Sequence, residues 1–287
     1  MFGPIMTAMV TPFNEQDQLD LNVLKTLIDY LLKNNTTSLL LSGTTGEAPT
    51  LSEDEKILLF KKSIEYVDKK VPIIANVGTN STKKTIHFMK KLEDLDLDGY
   101  LVVVPYYNRP DQEGIYEHFK HIAKETKRPI IIYNIPKRTG VDLELDTIIK
   151  LSKIKNIKGI KESSGDVNKL KDIIDKTQDD FLVYTGDDHQ ILDAFKLGAD
   201  GVVSVASHIF GKSIHTIVQL IYNKQYENAE AIFNIYIDKF NALFMRPNPA
   251  PTKAALTKLG LYVGGVRLPL VDLSEDEEMR LYEIIGI

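Results

Sequence analysis

Eight short apolar runs recur along the chain, at residues 5–10, 38–41, 72–77, 100–104, 129–135, 157–161, 181–184 and 201–205, each bounded by polar or glycine punctuation. Their near-continuous Val, Ile and Leu content is what strands covered on both faces require, because a parallel sheet has no wet side. Between them the apolar residues fall at helical spacing. Leu21, Leu24, Leu27, Ile28, Leu31 and Leu32 form one stripe, with Lys25, Asp29 and Lys33 outside it. Ser52 and Glu55 make a capping box ahead of the apolar run at 57–60. Ser81 or Thr82, Ser164 and Asp187 stand where caps of further helices belong.

Strand and helix alternate with no linker in the first two hundred residues, which predicts an α/β fold, a (β/α)8 TIM barrel, in preference to an open doubly wound sheet. The glycine-rich dinucleotide fingerprint that would favour the open sheet is absent after the first run. Beyond the eighth run, Ile232, Tyr236, Phe240, Leu243 and Phe244 repeat at helical spacing. Arg246-Pro247-Asn248-Pro249-Ala250-Pro251 reads as a stiff turn, and helical stretches follow near 252–259 and 274–284. The expected organisation is a catalytic barrel over 1–224 and a small C-terminal helical region over 225–287.

Composition narrows the function. The 287 residues carry 35 basic and 40 acidic side chains, a net charge of −5, which argues against a general nucleic-acid binder. The absence of Cys excludes disulfides, thiolate nucleophiles and Cys-ligated zinc. The first ten residues lack the charged start of a signal peptide. The longest apolar runs fall far short of the ~18–20 residues of a membrane span. A cytoplasmic protein with no membrane and no nucleic-acid partner is expected.

In such barrels chemistry sits at the C-terminal ends of strands and in the loops that follow. Lys161 is the most informative residue there. The strand period of two places 157, 159 and 161 on one face, so Lys161 points into the barrel near its top. A lysine taken out of water loses hydration of its charged form and falls below the usual ~10.4. As a free amine it can attack a carbonyl and form a Schiff base. The alternative is a snorkelling lysine paired with a carboxylate. Tyr133 shares the inward parity of Ile131 and Ile135, as a proton-shuttling phenol or a core aromatic. Thr44 and Thr45 lie in a glycine-flanked turn suited to a small carboxylate, or an ordinary tight turn. Arg138, between Pro136 and Gly140, is a carboxylate receptor or a surface arginine. His118 and His121 share a helix face without a metal-like set of acids. Asp187 and Asp188 suit a helix cap better than Mg²⁺, and they would repel a phosphate.

These elements resemble the dihydrodipicolinate synthase family of pyruvate-dependent class I aldolases. The likeness runs through Gly43-Thr44-Thr45-Gly46-Glu47, Gly78-Thr79-Asn80, Pro105-Tyr106-Tyr107-Asn108, Tyr133-Asn134-Ile135-Pro136-Lys137-Arg138-Thr139-Gly140, Gly159-Ile160-Lys161-Glu162 and Gly186-Asp187-Asp188. The resemblance implies that Lys161 forms a Schiff base with pyruvate and that the resulting enamine attacks L-aspartate 4-semialdehyde. It implies a catalytic relay of Tyr133, Thr44 and Tyr107, the last reaching in from a neighbouring subunit. Thr45, Arg138, Val203 and Gly186 become the substrate-binding set. Thr45 takes the pyruvate carboxylate, Val203 lies against the methyl side, and Arg138 takes the carboxylate of the second substrate. No cofactor and no metal are implied, and a homodimer or homotetramer is.

N-acetylneuraminate lyase looks similar in several of these elements. A fixed cation at Arg138 and the paired Tyr106-Tyr107 favour the synthase, since they suit a compact acidic aldehyde better than a sugar. A keto-acid-binding sensor barrel is the non-enzyme alternative. In lysine-inhibited members a pocket lies at the positions held here by Ala48, Pro49, Glu53, Lys56, Asn80, Lys84 and Tyr106. Asn80 and Tyr106 fit that pattern, but Lys56 and Lys84 would oppose an incoming ammonium, so weak or absent lysine feedback is expected.

Overall fold

A computed structural model describes all residues, 1–287. Eight parallel strands follow one another in chain order around a closed barrel. They are β1 (Ile5–Ala8), β2 (Ser38–Leu41), β3 (Ile73–Asn76), β4 (Gly99–Val103), β5 (Ile130–Asn134), β6 (Ile157–Glu162), β7 (Leu182–Thr185) and β8 (Gly201–Ser204). Each predicted run overlaps one of them, with β4, β6 and β7 each reaching one residue beyond it, and the strands are buried almost throughout. The (β/α)8 barrel with appended C-terminal helices is therefore the fold. No helix is long and apolar enough to cross a membrane.

Two compact units make up the chain, Met1–Ile73 with Ser204–Ile287, and Ile74–Val203. In the first, α1 (Leu21–Lys33) begins where the Asp20 carboxylate accepts from the N–H groups of Asn22 and Val23. It buries Leu24, Leu27, Ile28 and Leu31, the predicted stripe. Helix α2 (Glu53–Val67) starts on the predicted Ser52–Glu55 capping box. After β8 come α9 (Ser207–Tyr222), α10 (Tyr226–Ala242), α11 (Ala250–Lys258) and α12 (Glu275–Ile285). At Gly211, on α9, a Cβ would stand 2.1 Å from the Asn34 carbonyl oxygen, so only glycine permits that approach to the end of α1. Phe210, Tyr236 and Phe240 cluster there, with ring centroids 5.4–6.1 Å apart.

The second unit holds α3 (Thr82–Lys91), α4 (Gln112–Lys124), the short α5 (Pro136–Thr139), α6 (Leu145–Ser152), α7 (Val167–Lys176) and α8 (Ile191–Lys196). Ser81 caps α3 as expected. Two expected caps are corrected. Helix α7 is capped by Asp166, while the Ser164 hydroxyl accepts from the Asp166 N–H. Asp187 precedes a 3₁₀ turn and makes no side-chain cap; its N–H donates to Thr185. The proline-rich turn is shorter than expected, because Ala250 and Pro251 already belong to α11. Proline fits a first helical turn, where its missing N–H would be unpaired anyway.

Two histidines are structural. The Val10 N–H donates to His208 Nε2 at 3.1 Å, and His208 Nδ1 reaches the Val205 carbonyl at 2.8 Å. An acceptor at one nitrogen and a donor at the other define the neutral ring. Burial pulls His208 down to about 4, against the backbone bond to Val205, and burial pulls His118 down to about 4 as well. His118 Nδ1 pairs with the Thr82 hydroxyl at 2.9 Å, and His121 turns to Glu117, so the two do not form a joint site. Each buried ring binds its proton more readily in the unfolded chain. Stability is therefore full above pH ~6.5 and declines as pH falls from there toward 4. At pH 5 the loss should be about 2 kcal/mol per ring. Urea midpoints at pH 7 and pH 5 measure it. Replacing His118 with Gln should make the decline shallower, and an unchanged slope would contradict this account.

Candidate active site

In the second unit the register of β5, β6 and β7 places Tyr133, Lys161 and Tyr184 side by side. Lys161 is only 7% exposed. Its Nζ lies 4.2 Å from the centroid of the Tyr133 ring, and no acidic side chain pairs with it. The predicted inward parity of Lys161 and Tyr133 is thus met, and the alternative of a carboxylate-paired lysine is not.

The acid next in sequence lies on the opposite face. Glu162 is buried; its carboxylate accepts from Asn134 Nδ2 at 2.9 Å and from the Ser164 N–H at 2.7 Å. Lys169 Nζ stands 3.9 Å away and is itself held by Asp142 at 2.6 Å and the Leu143 carbonyl at 2.7 Å. Burial pushes the Glu162 carboxyl up, with Lys169, Asn134 and Ser164 opposing. This network ties β5 to β6 behind the amine.

Gly186 follows β7 and donates its N–H to the Glu162 carbonyl at 2.8 Å. A Cβ there would lie 1.8 Å from Ser163 Oγ and 2.6 Å from Lys161 Cε. The lysine stem therefore occupies the space that a side chain at 186 would take. Ser163 is 3% exposed and its hydroxyl has no partner. Val203 is buried on β8. Arg138 is exposed on α5, with no carboxylate paired to it. Tyr107 is 90% exposed at φ +72, tied by its N–H to the Thr139 carbonyl at 3.3 Å. Within its own unit it does not join Lys161 and Tyr133.

In the first unit, the turn after β2 carries Thr44 and Thr45. It closes through the Glu47 N–H to the Thr44 carbonyl and the Ala48 N–H to the Gly43 carbonyl. The N–H groups of Thr44 and Thr45 have no acceptor in the chain. Thr45 is buried, and its hydroxyl accepts from Asn248 Nδ2 at 2.8 Å. Glu47, at φ +55, pairs with Lys253 Nζ at 2.7 Å and accepts from the Arg267 N–H at 2.8 Å. Burial pulls Lys253 down while Glu47 pulls it up.

Sequence reasoning missed Ser163 beside Lys161 in the second unit, and Asn248 and the Glu47–Lys253 pair around the Thr44–Thr45 turn in the first. Ser163 stands two residues past Lys161 at the end of the same strand run, a usable signal. Asn248 and Lys253 carry none, because their partners lie some two hundred residues away. No group of His, Asp and Glu is arranged to hold a metal ion.

The model of the dihydrodipicolinate synthetase family matches residues 1–287. The 4-hydroxy-tetrahydrodipicolinate synthase of Bacillus subtilis is 48% identical over 286 residues, 99% of each chain. A dihydrodipicolinate synthase from Bacillus anthracis superposes with a TM-score of 0.98 at 43% identity, covering 100% of this chain and 98% of that one. The same enzyme from Acinetobacter baumannii, solved in complex with pyruvate, gives 0.96 at 39% identity over the whole of both chains. A barrel with a buried, acid-free lysine beside a tyrosine is the frame of a Schiff-base aldolase. This chain belongs to the dihydrodipicolinate synthetase family.

Gly186→Ala tests the crowding around the lysine. On the Schiff-base reading proposed below, it should lower turnover by about 100-fold or more, since displacing a reacting group by about an ångström has that effect, while the far-ultraviolet spectrum stays unchanged. Near-normal turnover would show that the space at 186 does not matter.

Proposed function

We propose that the chain is a lyase of the class I aldolase type that condenses pyruvate with L-aspartate 4-semialdehyde to 4-hydroxy-tetrahydrodipicolinate, in diaminopimelate and lysine biosynthesis. The observation that carries it is Lys161, buried at the end of β6 against Tyr133 with no carboxylate beside it. Relatives 48% identical over nearly the whole chain support the same reading.

The Lys161 amine adds to C2 of pyruvate and forms a carbinolamine; loss of water leaves the iminium. Removal of a methyl proton gives the enamine, whose carbon bonds to the aldehyde carbon of the second substrate, the aldehyde oxygen taking up a proton. The substrate amino group then attacks C2 and expels Lys161, closing the ring. Tyr133 and Thr44 are assigned the proton transfers, with Tyr107 supplied by a second copy. Thr45 takes the pyruvate carboxylate, Val203 and Gly186 bound the small substrate, and Arg138 receives the aldehyde's carboxylate. The unpaired guanidinium of Arg138 and the free N–H groups of the Thr44–Thr45 turn suit two anionic substrates. A tyrosine as exposed as Tyr107 gains a role only in an oligomer, and C2 pairing is the commonest way to provide one. The cytoplasm is the compartment that suits this chemistry.

Borohydride reduction in the presence of pyruvate should add the mass of the reduced pyruvyl group to Lys161. Lys161→Ala should take no label and lose at least about 1,000-fold in turnover, as expected when covalent catalysis is removed. An unlabelled wild-type chain would overturn the reading. Running the condensation beside N-acetylneuraminate cleavage separates the two aldolase activities, and only the former should proceed.

Feedback by lysine should be weak. Lys84 is an exposed cation, and Lys56, although pulled down by burial against Glu53 and Glu55, adds to the repulsion of an ammonium. Millimolar lysine should leave the steady-state rate within about twofold, and stronger inhibition would refute the charge argument.

A further inference from the structure

Thr45 presents two donors with no acceptor in the chain: its backbone N–H and its hydroxyl proton. What decides where that proton points lies far away in sequence. Asn248 is 6% exposed, and its Nδ2 stands 2.8 Å from Thr45 Oγ1. An amide nitrogen only donates, so the Thr45 oxygen spends a lone pair accepting from it. The threonine O–H is then barred from the Asn248 direction and is left for another acceptor. An unconstrained hydroxyl would rotate among several directions and would lose part of its strength toward any one of them.

We propose that Asn248 is a positioning residue for the reaction: it turns the Thr45 hydroxyl into a fixed donor for the carboxylate of the keto acid. The inference rests on the reading of the chain as a pyruvate-condensing enzyme. The same C-terminal segment also holds the rest of the turn. Lys253 Nζ lies 2.7 Å from Glu47 and 2.6 Å from the Gly265 carbonyl, with both side chains of the ion pair 2% exposed or less. The Thr11 hydroxyl donates to the Gly46 carbonyl at 2.7 Å. With the turn clamped at Gly46 and Glu47, the hydroxyl torsion of Thr45 is the freedom that remains, and Asn248 removes it.

Steady-state kinetics of Asn248→Asp, Asn248→Ala, Thr45→Val and the Thr45→Val/Asn248→Ala double variant test this. Asp at 248 draws the threonine proton to itself and sets a negative charge near an anion. It should raise the pyruvate KM by about tenfold or more, the scale of one hydrogen bond to a charged group. Ala at 248 should raise it less. The KM for L-aspartate 4-semialdehyde should stay within about twofold in both, a split that simple loss of packing would not give. In the Thr45→Val background, adding Asn248→Ala should change the pyruvate KM no further, because the two act as one unit. An unchanged pyruvate KM in Asn248→Asp, a parallel rise for both substrates, or additive effects in the double variant would overturn the proposal. Failure of the wild-type chain to trap pyruvate with borohydride would instead overturn the functional reading beneath it, and the proposal with it.

Discussion

Strand alternation at β6 separates an amine from the acid beside it in sequence, and the proposed chemistry depends on that separation. Lys161 and Glu162 are neighbours, yet a period of two sends them to opposite faces. On its own face Glu162 is satisfied by Asn134, Ser164 and Lys169. Lys161 meets an aromatic ring instead. A carboxylate next to the amine would hold it as an ion pair and block its attack on a carbonyl. Register completes the arrangement, since Tyr133 is the direct partner of Lys161 across the β5–β6 ladder.

The turn after β2 depends on a different kind of interaction. Glu47 and Lys253 form an ion pair almost without solvent, and the Phe13 ring centroid lies 4.3 Å from the Lys253 ammonium and 4.2 Å from the Arg267 guanidinium. Arg267 is further bonded to Glu55 and to the Asp17 and Thr50 carbonyls. Removing water from two charges costs several kcal/mol per ion, so such a pair adds little net stability. It ties Glu47, which is in the left-handed region, at the end of the Thr44–Thr45 turn to α11. The C-terminal segment thus braces the turn after β2 through Asn248, Lys253, Gly265 and Arg267.

Gly186 and Ser163 show how closely the lysine is surrounded. Backbone with no side chain lines one flank of the Lys161 stem, and a buried hydroxyl without a partner stands on the same side. Bulk is excluded there because the amine and its stem already fill the space.

Much of this was legible from local pattern. The eight apolar runs mark the strands because a parallel sheet must bury both faces, and the inward parity of Lys161 and Tyr133 follows from a backbone rule that holds for any strand. The Ser52–Glu55 cap needs only three residues of separation, so sequence alone shows it. Competing local acceptors are harder to rank: Asp166 caps α7 where Ser164 was expected, and Ala250-Pro251 starts a helix where a turn was expected. Periodicity and composition determined the barrel, the strand that bears the amine and the face it occupies. Tertiary structure alone decided that Asn248 meets Thr45 across 203 residues, that Lys253 neutralises Glu47, and that Gly186 makes room for Lys161. Such contacts depend on how folded elements close on one another, and no local spacing in the chain encodes that.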